Sequence, residues 1–149
     1  MNLKLTKTKL AALRRKNIKN CVGGSEARYI QITVNVGVKL FECLKTRNYS
    51  HKNQQYAFVN GFGPAVGPRF TITLEGEKFY CYITQHALPF SDNLQFHYGR
   101  KQDLMNTLRK HGWSLDDIYP DGDRNLGFCR DKMVCIDFGP LTREGIYLE

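Results

Sequence analysis

Asp137 closes the apolar run Val134-Cys135-Ile136 and is followed at once by Phe138-Gly139. The run reads as a strand that fixes the carboxylate, while Gly139 lets the backbone turn away and leaves the acid facing a ligand. Asn125 lies 12 positions upstream. An acid and an amide converging in this way are hard oxygen ligands, suited to Mg2+ carried by a nucleotide. Other chemistries find little to work with. His51, His86, His97 and His111 lack paired metal spacing, and no Gly-x-Ser-x-Gly elbow points to a hydrolase. Cys21, Cys43, Cys81, Cys129 and Cys135 include no CxxC pair, so reduced and mostly buried thiols are expected.

Bringing two distant residues together requires strands and helices in a definite order. Thr6 or Thr8 can cap a first helix running to about Lys19, after which Asn20-Cys21-Val22-Gly23-Gly24-Ser25 breaks the pattern. Tyr29 to Val34 and Val38 to Phe41 alternate and read as a hairpin turning near Asn35 and Gly37. Helical composition from about His51 to Asn60 stops at Gly61-Phe62-Gly63-Pro64. Arg69 to Leu74 and Lys78 to Thr84 read as a second hairpin, joined through Glu75-Gly76-Glu77. A helix from about Gly99 to His111, with Leu104, Leu108 and His111 on one face, ends at Gly112. A last hairpin pairs Leu126 to Cys129 with Met133 to Asp137 through Arg130-Asp131-Lys132. That register sets Cys129 opposite Met133 and Gly127 opposite Cys135, so the two cysteines do not face each other.

With 149 residues, 42% of them apolar or aromatic, the chain is the size of one domain and can bury a proper core. No apolar run approaches the ~20 residues of a membrane span, and the start lacks the apolar region of a secretory signal. A soluble protein of the cytoplasm is therefore expected. The net charge of +8 is uneven: residues 1–20 hold seven Lys or Arg and no acid, leaving 15 basic against 14 acidic residues elsewhere. Such an arm can bind nucleic acid, an anionic membrane surface or an acidic partner. Alternatively, Leu10, Leu13 and Ile18 form a stripe that docks it on the body and leaves the cations as a solvated face.

Strand, glycine turn, strand with a lysine, helix, two strands, helix, polar loop with Asp and Asn, then a strand ending Asp-Phe-Gly: this order resembles the protein-kinase fold. It looks most like the small kinase-like proteins encoded by bacteriophages. The likeness runs from about Cys21 to Gly139. It is most specific over His111-Gly112-Trp113, Asp117-Ile118-Tyr119, Asn125-Leu126-Gly127-Phe128 and Ile136-Asp137-Phe138-Gly139. It implies an α+β, kinase-like architecture: a basic helical arm over residues 1–20 and a minimal domain over 21–149. The N-lobe, to about residue 86, would be a twisted antiparallel sheet with one helix. The C-lobe, from about 87, would be truncated, mainly helical, and finished just after Asp-Phe-Gly.

The same resemblance implies ATP and Mg2+ as cofactors. Gly23 and Gly24 resemble a shortened glycine-rich loop whose amides approach phosphate oxygens, and Lys39 the strand lysine that contacts them. Gln85 and Ala87, within Thr84-Gln85-His86-Ala87, resemble the hinge whose backbone meets the adenine edge. Asp137 resembles the metal-binding Asp, and Asn125 the Asn that binds a second metal. Asp117 resembles the carboxylate that orients the substrate hydroxyl, so Asp117, Lys39 and Asn125 form the implied catalytic set.

The chain also departs from the family. Pro120 occupies the position five before Asn125 where the carboxylate belongs. Asp117 serves only if residues 120–124 bulge, with Asp121 and Asp123 as rivals. The stretch His51 to Asn60 holds no acid to pair with Lys39 and offers Gln54 or Gln55, a neutral and weaker partner. Ten residues follow Gly139, too few for an activation segment and a full large lobe. Two functions follow from the resemblance: transfer of the γ-phosphate of ATP to a protein hydroxyl, as in Ser/Thr-type kinases, or a pseudokinase that binds and modulates a host protein in the host cytoplasm. A third, carried by residues 1–20, is a nucleic-acid-binding or virion-associated phage protein.

Overall fold

Alternating β-branched and aromatic residues build the larger of the two sheets among the described residues. In the computed structural model, residues 2–16, 22–23, 27–89, 98–113, 125–130 and 132–138 are described. Five antiparallel strands lie in the order β1-β2-β3-β5-β4: β1 Val22–Gly23, β2 Arg28–Gln31, β3 Val36–Phe41, β4 Val66–Leu74 and β5 Glu77–Gln85. Successive side chains point to opposite faces, so Val36, Val38 and Leu40 of β3 enter one layer while Lys39 enters the other. The first layer is apolar. It gathers Ile30, Ile72, Leu74, Phe79, Cys81 and Ile83 around Val38 and Leu40.

Helix α1, Lys7–Arg15, covers that layer. Thr6 caps it by accepting from the Lys9 backbone N–H at 3.2 Å, and the helix stops where Lys16 turns extended. Leu13 is buried in the sheet core, with Leu3, Leu5 and Leu10 packed beside it. Burying one leucine contributes roughly 1.5–3 kcal/mol, enough to seat the arm on the body. Lys7, Arg14, Arg15 and Lys16 remain exposed on its outer side.

The second layer is held by α2, Leu44–Val59. It starts seven residues before the expected position at His51, and the reason lies in its buried side. Arg47, Ser50, Asn53, Gln54 and Ala57 follow helical spacing, yet all but the last are polar. A search for apolar periodicity passes over such a stripe. Arg47 donates to the carbonyls of Phe70 and Cys81 at 3.2 and 3.1 Å, which fastens α2 to β4 and β5. Both strands outrun the expected Arg69 to Leu74 and Lys78 to Thr84. Their two-residue turn has Glu75 at φ 52° and Gly76 at φ 80°, the left-handed pair that matches hairpin twist.

Beyond Ala87, the described residues divide between one helix and a three-stranded sheet. Helix α3, Tyr98–Lys110, ends where Gly112 takes φ 70° and lets Trp113 N–H reach the Leu108 carbonyl at 2.9 Å. The small sheet runs β6-β7-β8: Leu88–Pro89, Leu126–Cys129 and Lys132–Cys135. Its register corrects the expectation by one residue. Cys129 faces Lys132, Phe128 faces Met133, Gly127 faces Val134 and Leu126 faces Cys135. Arg130 takes φ 59°, and Lys132 belongs to the strand rather than to the turn. The cysteines still do not pair. Phe62, Trp113, Leu104, Leu108 and Phe138 form a second core between α2, α3 and this sheet. The chain is thus α+β, and no helix among the described residues is long and apolar enough to cross a membrane.

Candidate functional site

Lys39 rises from the middle of β3 on the face covered by α2. Its Nζ donates to Gln54 Oε1 at 3.0 Å and to the Ile136 carbonyl at 2.7 Å. It also lies 5.1 Å from the centre of the Phe138 ring and 5.7 Å from that of Tyr82. These partners are all neutral. Among the described residues, Lys39 has no ion pair; Arg28 and Glu42 make an exposed one at 3.8 Å. Burial strips water from the ammonium and pulls its pKa from 10.5 down to about 8, against a smaller opposing pull from the charge of Asp137.

Gln54 is the hub of the buried side of α2. Its Oε1 accepts from Lys39 and from the Tyr82 hydroxyl at 2.8 Å, while its Nε2 donates to Thr84 Oγ1 at 2.7 Å and the Pro64 carbonyl at 3.1 Å. Both lone pairs and both N–H groups of the amide are thereby used. Ser50 adds a 3.0 Å contact to the same Tyr82 hydroxyl. This explains a glutamine where the resemblance leads one to expect a glutamate. A carboxylate could face Lys39, but its second oxygen would confront the Pro64 carbonyl with no proton to share.

Asn125 and Asp137 are linked to Lys39 through the backbone of Ile136. The Ile136 carbonyl accepts from Lys39, and the Ile136 N–H donates to the Asn125 carbonyl at 2.9 Å. Asp137 follows directly, exposed, while its neighbour Phe138 is buried against Trp113 with ring centres 5.9 Å apart. Phe138 therefore anchors the backbone that presents the carboxylate. No group of three or more His, Cys, Asp or Glu among the described residues is placed to hold a metal ion.

Gln85 and Ala87, expected at a hinge, border the same region. The Gln85 N–H donates to the Ala65 carbonyl at 2.9 Å and its side-chain oxygen accepts from Ala65 N–H at 3.1 Å. Ala87 lies against Gly127, whose missing Cβ would stand 3.0 Å from the Ala87 methyl and 3.3 Å from Ile136 Cγ2. Gly23 sits on β1 opposite Arg28. Gly24, Asp117, Asp121 and Asp123 lie outside the described residues. A separate cavity of about 580 Å3 opens between the end of α2, α3 and the β7–β8 turn, lined by Arg100, Asp103, Arg130, Lys132 and Met133 among others. It includes none of Lys39, Asn125 and Asp137.

Sequence reading missed Tyr82, Thr84 and Ser50, which complete the hub, and Tyr29, which lies beside it. Strand pairing held the signal for Tyr82: it stands directly across from Lys39 on β5. The desolvated lysine also predicts a pH dependence. Its folded pKa of about 8 lies below its ordinary 10.5, so the unfolded chain binds more protons between those values and stability rises with pH across that window. Cys81 and Cys129, pushed up to about 12 and about 11, oppose the rise above pH 9. The wild type minus Lys39→Met difference cancels those thiols. Urea unfolding should show that difference shifting in favour of the wild type as pH goes from 8 to 10, and a flat difference would contradict the site.

Comparison of the chain with protein-family models, with curated proteins and with solved structures found no match.

Proposed function

We propose that this chain is a kinase-like nucleotide-binding protein in which Lys39 contacts the phosphates of ATP while Asn125 and Asp137 hold the accompanying Mg2+. One observation carries the reading. The Lys39 ammonium is desolvated, is hydrogen-bonded only to neutral groups, and binds the carbonyl of the residue that precedes an exposed carboxylate. A cation in that state is an electrostatic demand that an anion answers. The element order adds support: a lysine strand, a helix, two strands, a helix, then a hairpin entered from Asn125 and left through Asp137-Phe138. The metal ion would neutralise phosphate charge, and the chain supplies an ammonium on one side and hard oxygen ligands on the other.

A second reading, binding without transfer, is favoured by Gln54. A neutral amide holds Lys39 less firmly than a carboxylate would, which leaves the phosphate geometry less fixed. The two readings separate in one experiment with γ-labelled ATP and Mg2+. Label transferred or released by the wild type and lost in Asp137→Ala supports phosphotransfer. Equal label with both proteins contradicts it. ATP bound by the wild type with no label moved supports the pseudokinase.

A further inference from the structure

Resting on the reading of Lys39 as a triphosphate contact, we infer that Tyr29 determines which ligands the site accepts. Its ring covers the strip of sheet between Lys39 and the Gln85–Ala87 backbone, so a nucleobase enters only by displacing the phenol, which a triphosphate reaching Lys39 need not do. Tyr29 pairs with Lys39 across β2 and β3, which puts both side chains on the same face. From there the ring leans over Gly37, two residues from Lys39 on that face. A methyl group at Gly37 would overlap the phenol oxygen and the adjoining ring carbons. Glycine is what lets the ring lie down on the strand.

The far end of the ring is anchored. The Tyr29 hydroxyl is hydrogen-bonded to His86 Nδ1, and the two rings stack with centres 5.7 Å apart and planes 21° apart. The His86 backbone is itself held, its main-chain N–H donating to the Asn35 carbonyl at 2.8 Å. Across the sheet, Gly37 pairs with Thr84 and Val36 with Gln85, so the covered strip leads from the lysine to the segment where a base edge would bind. Burial pushes the Tyr29 phenol well above its ordinary range, in keeping with a ring withdrawn from water. A base stacking on this strip would have to break the hydrogen bond to His86 and part the two rings. The triphosphate tail, at the other end of the strip, does not meet the Tyr29–His86 pair.

Calorimetric titration of the full chain with ATP and with inorganic tripolyphosphate, both in Mg2+, tests this on the wild type, Tyr29→Ala and His86→Ala. The wild type should bind the two ligands within about threefold of each other. Tyr29→Ala should bind ATP at least about tenfold more tightly with tripolyphosphate unchanged, and His86→Ala should move the same way by a smaller factor. His86→Ala keeps the test alive if Tyr29→Ala does not fold. ATP bound more weakly by Tyr29→Ala than by the wild type would overturn the inference, because Tyr29 would then be a platform on which the base stacks. Tripolyphosphate binding with ATP affinity unchanged in both variants would overturn it alone, leaving the triphosphate site intact. Neither ligand binding to any of the three proteins would overturn the site and the inference together.

Discussion

Lys39→Met is expected to unfold at no lower denaturant concentration than the wild type and yet to bind Mg-ATP roughly 10- to 150-fold more weakly, the loss of one charge-assisted contact worth about 1.5–3 kcal/mol. The first half follows from the sign of the lysine's pKa shift. Had Gln54 and the Ile136 carbonyl fully replaced water, the ammonium would titrate near 10.5, whereas it is drawn down to about 8. The folded protein therefore holds the charge less well than water does. Methionine is unbranched and polarizable, and it can occupy the space between the Tyr82 and Phe138 rings without that burden. The Ile136 carbonyl loses a donor, which offsets part of the gain. Denaturant melts and equilibrium titration of the same two proteins check both halves. A variant that loses stability and affinity together would mark Lys39 as structural.

Gln54→Leu is expected to lower stability by about 3–5 kcal/mol, since several buried groups would lose partners worth about 1–3 kcal/mol each. Leucine leaves Lys39 with the Ile136 carbonyl alone and gives nothing to the Pro64 carbonyl, while Tyr82 and Thr84 fall back on Ser50 and on the carbonyls of Ala65 and Gln85. Gln54→Glu discriminates further. If Gln54 is merely a weakened form of a lysine-pairing glutamate, the acid should stabilise the fold. The geometry predicts the reverse, because the carboxylate would meet the Pro64 carbonyl at about the 3.1 Å now spanned by an N–H bond. Denaturant melts of the two variants separate these outcomes. Stability of Gln54→Glu at or above that of the wild type would contradict the hub as described.

These two residues also show what the sequence could and could not reveal. Lys39 was singled out by the resemblance alone, since a lysine in a strand reads by itself as a surface residue; Asp137 was legible because it ends an apolar run. Leu10 and Leu13 marked the docking face of α1 in the same way. Helix α2 was half legible: Gln54 could be named as a neutral partner, but Arg47, Ser50 and Asn53 bury a polar stripe that mimics a solvated face. Only the tertiary hydrogen bonds to Phe70, Cys81 and Tyr82 explain why it is inside. The β7–β8 register depended on the left-handed backbone at Arg130, which residue types alone do not dictate. Tyr29 and Tyr82 read as ordinary strand aromatics. Their importance comes from standing across from Lys39 on β2 and β5, a fact of pairing rather than of composition.

The most direct test is the thermal midpoint of the wild-type chain with ATP in Mg2+ and then in chelator. At about 100 times the dissociation constant, a ligand specific for the folded state adds about 2.7 kcal/mol, which for a chain of this size raises the midpoint by roughly 5–10 °C. The account predicts that rise with Mg-ATP and smaller ones in chelator and in Lys39→Met, whose roughly 10- to 150-fold weaker binding leaves about 1.4 kcal/mol or less. A midpoint unmoved in the wild type, or moved equally in Lys39→Met, would contradict a triphosphate site built on Lys39, Asn125 and Asp137.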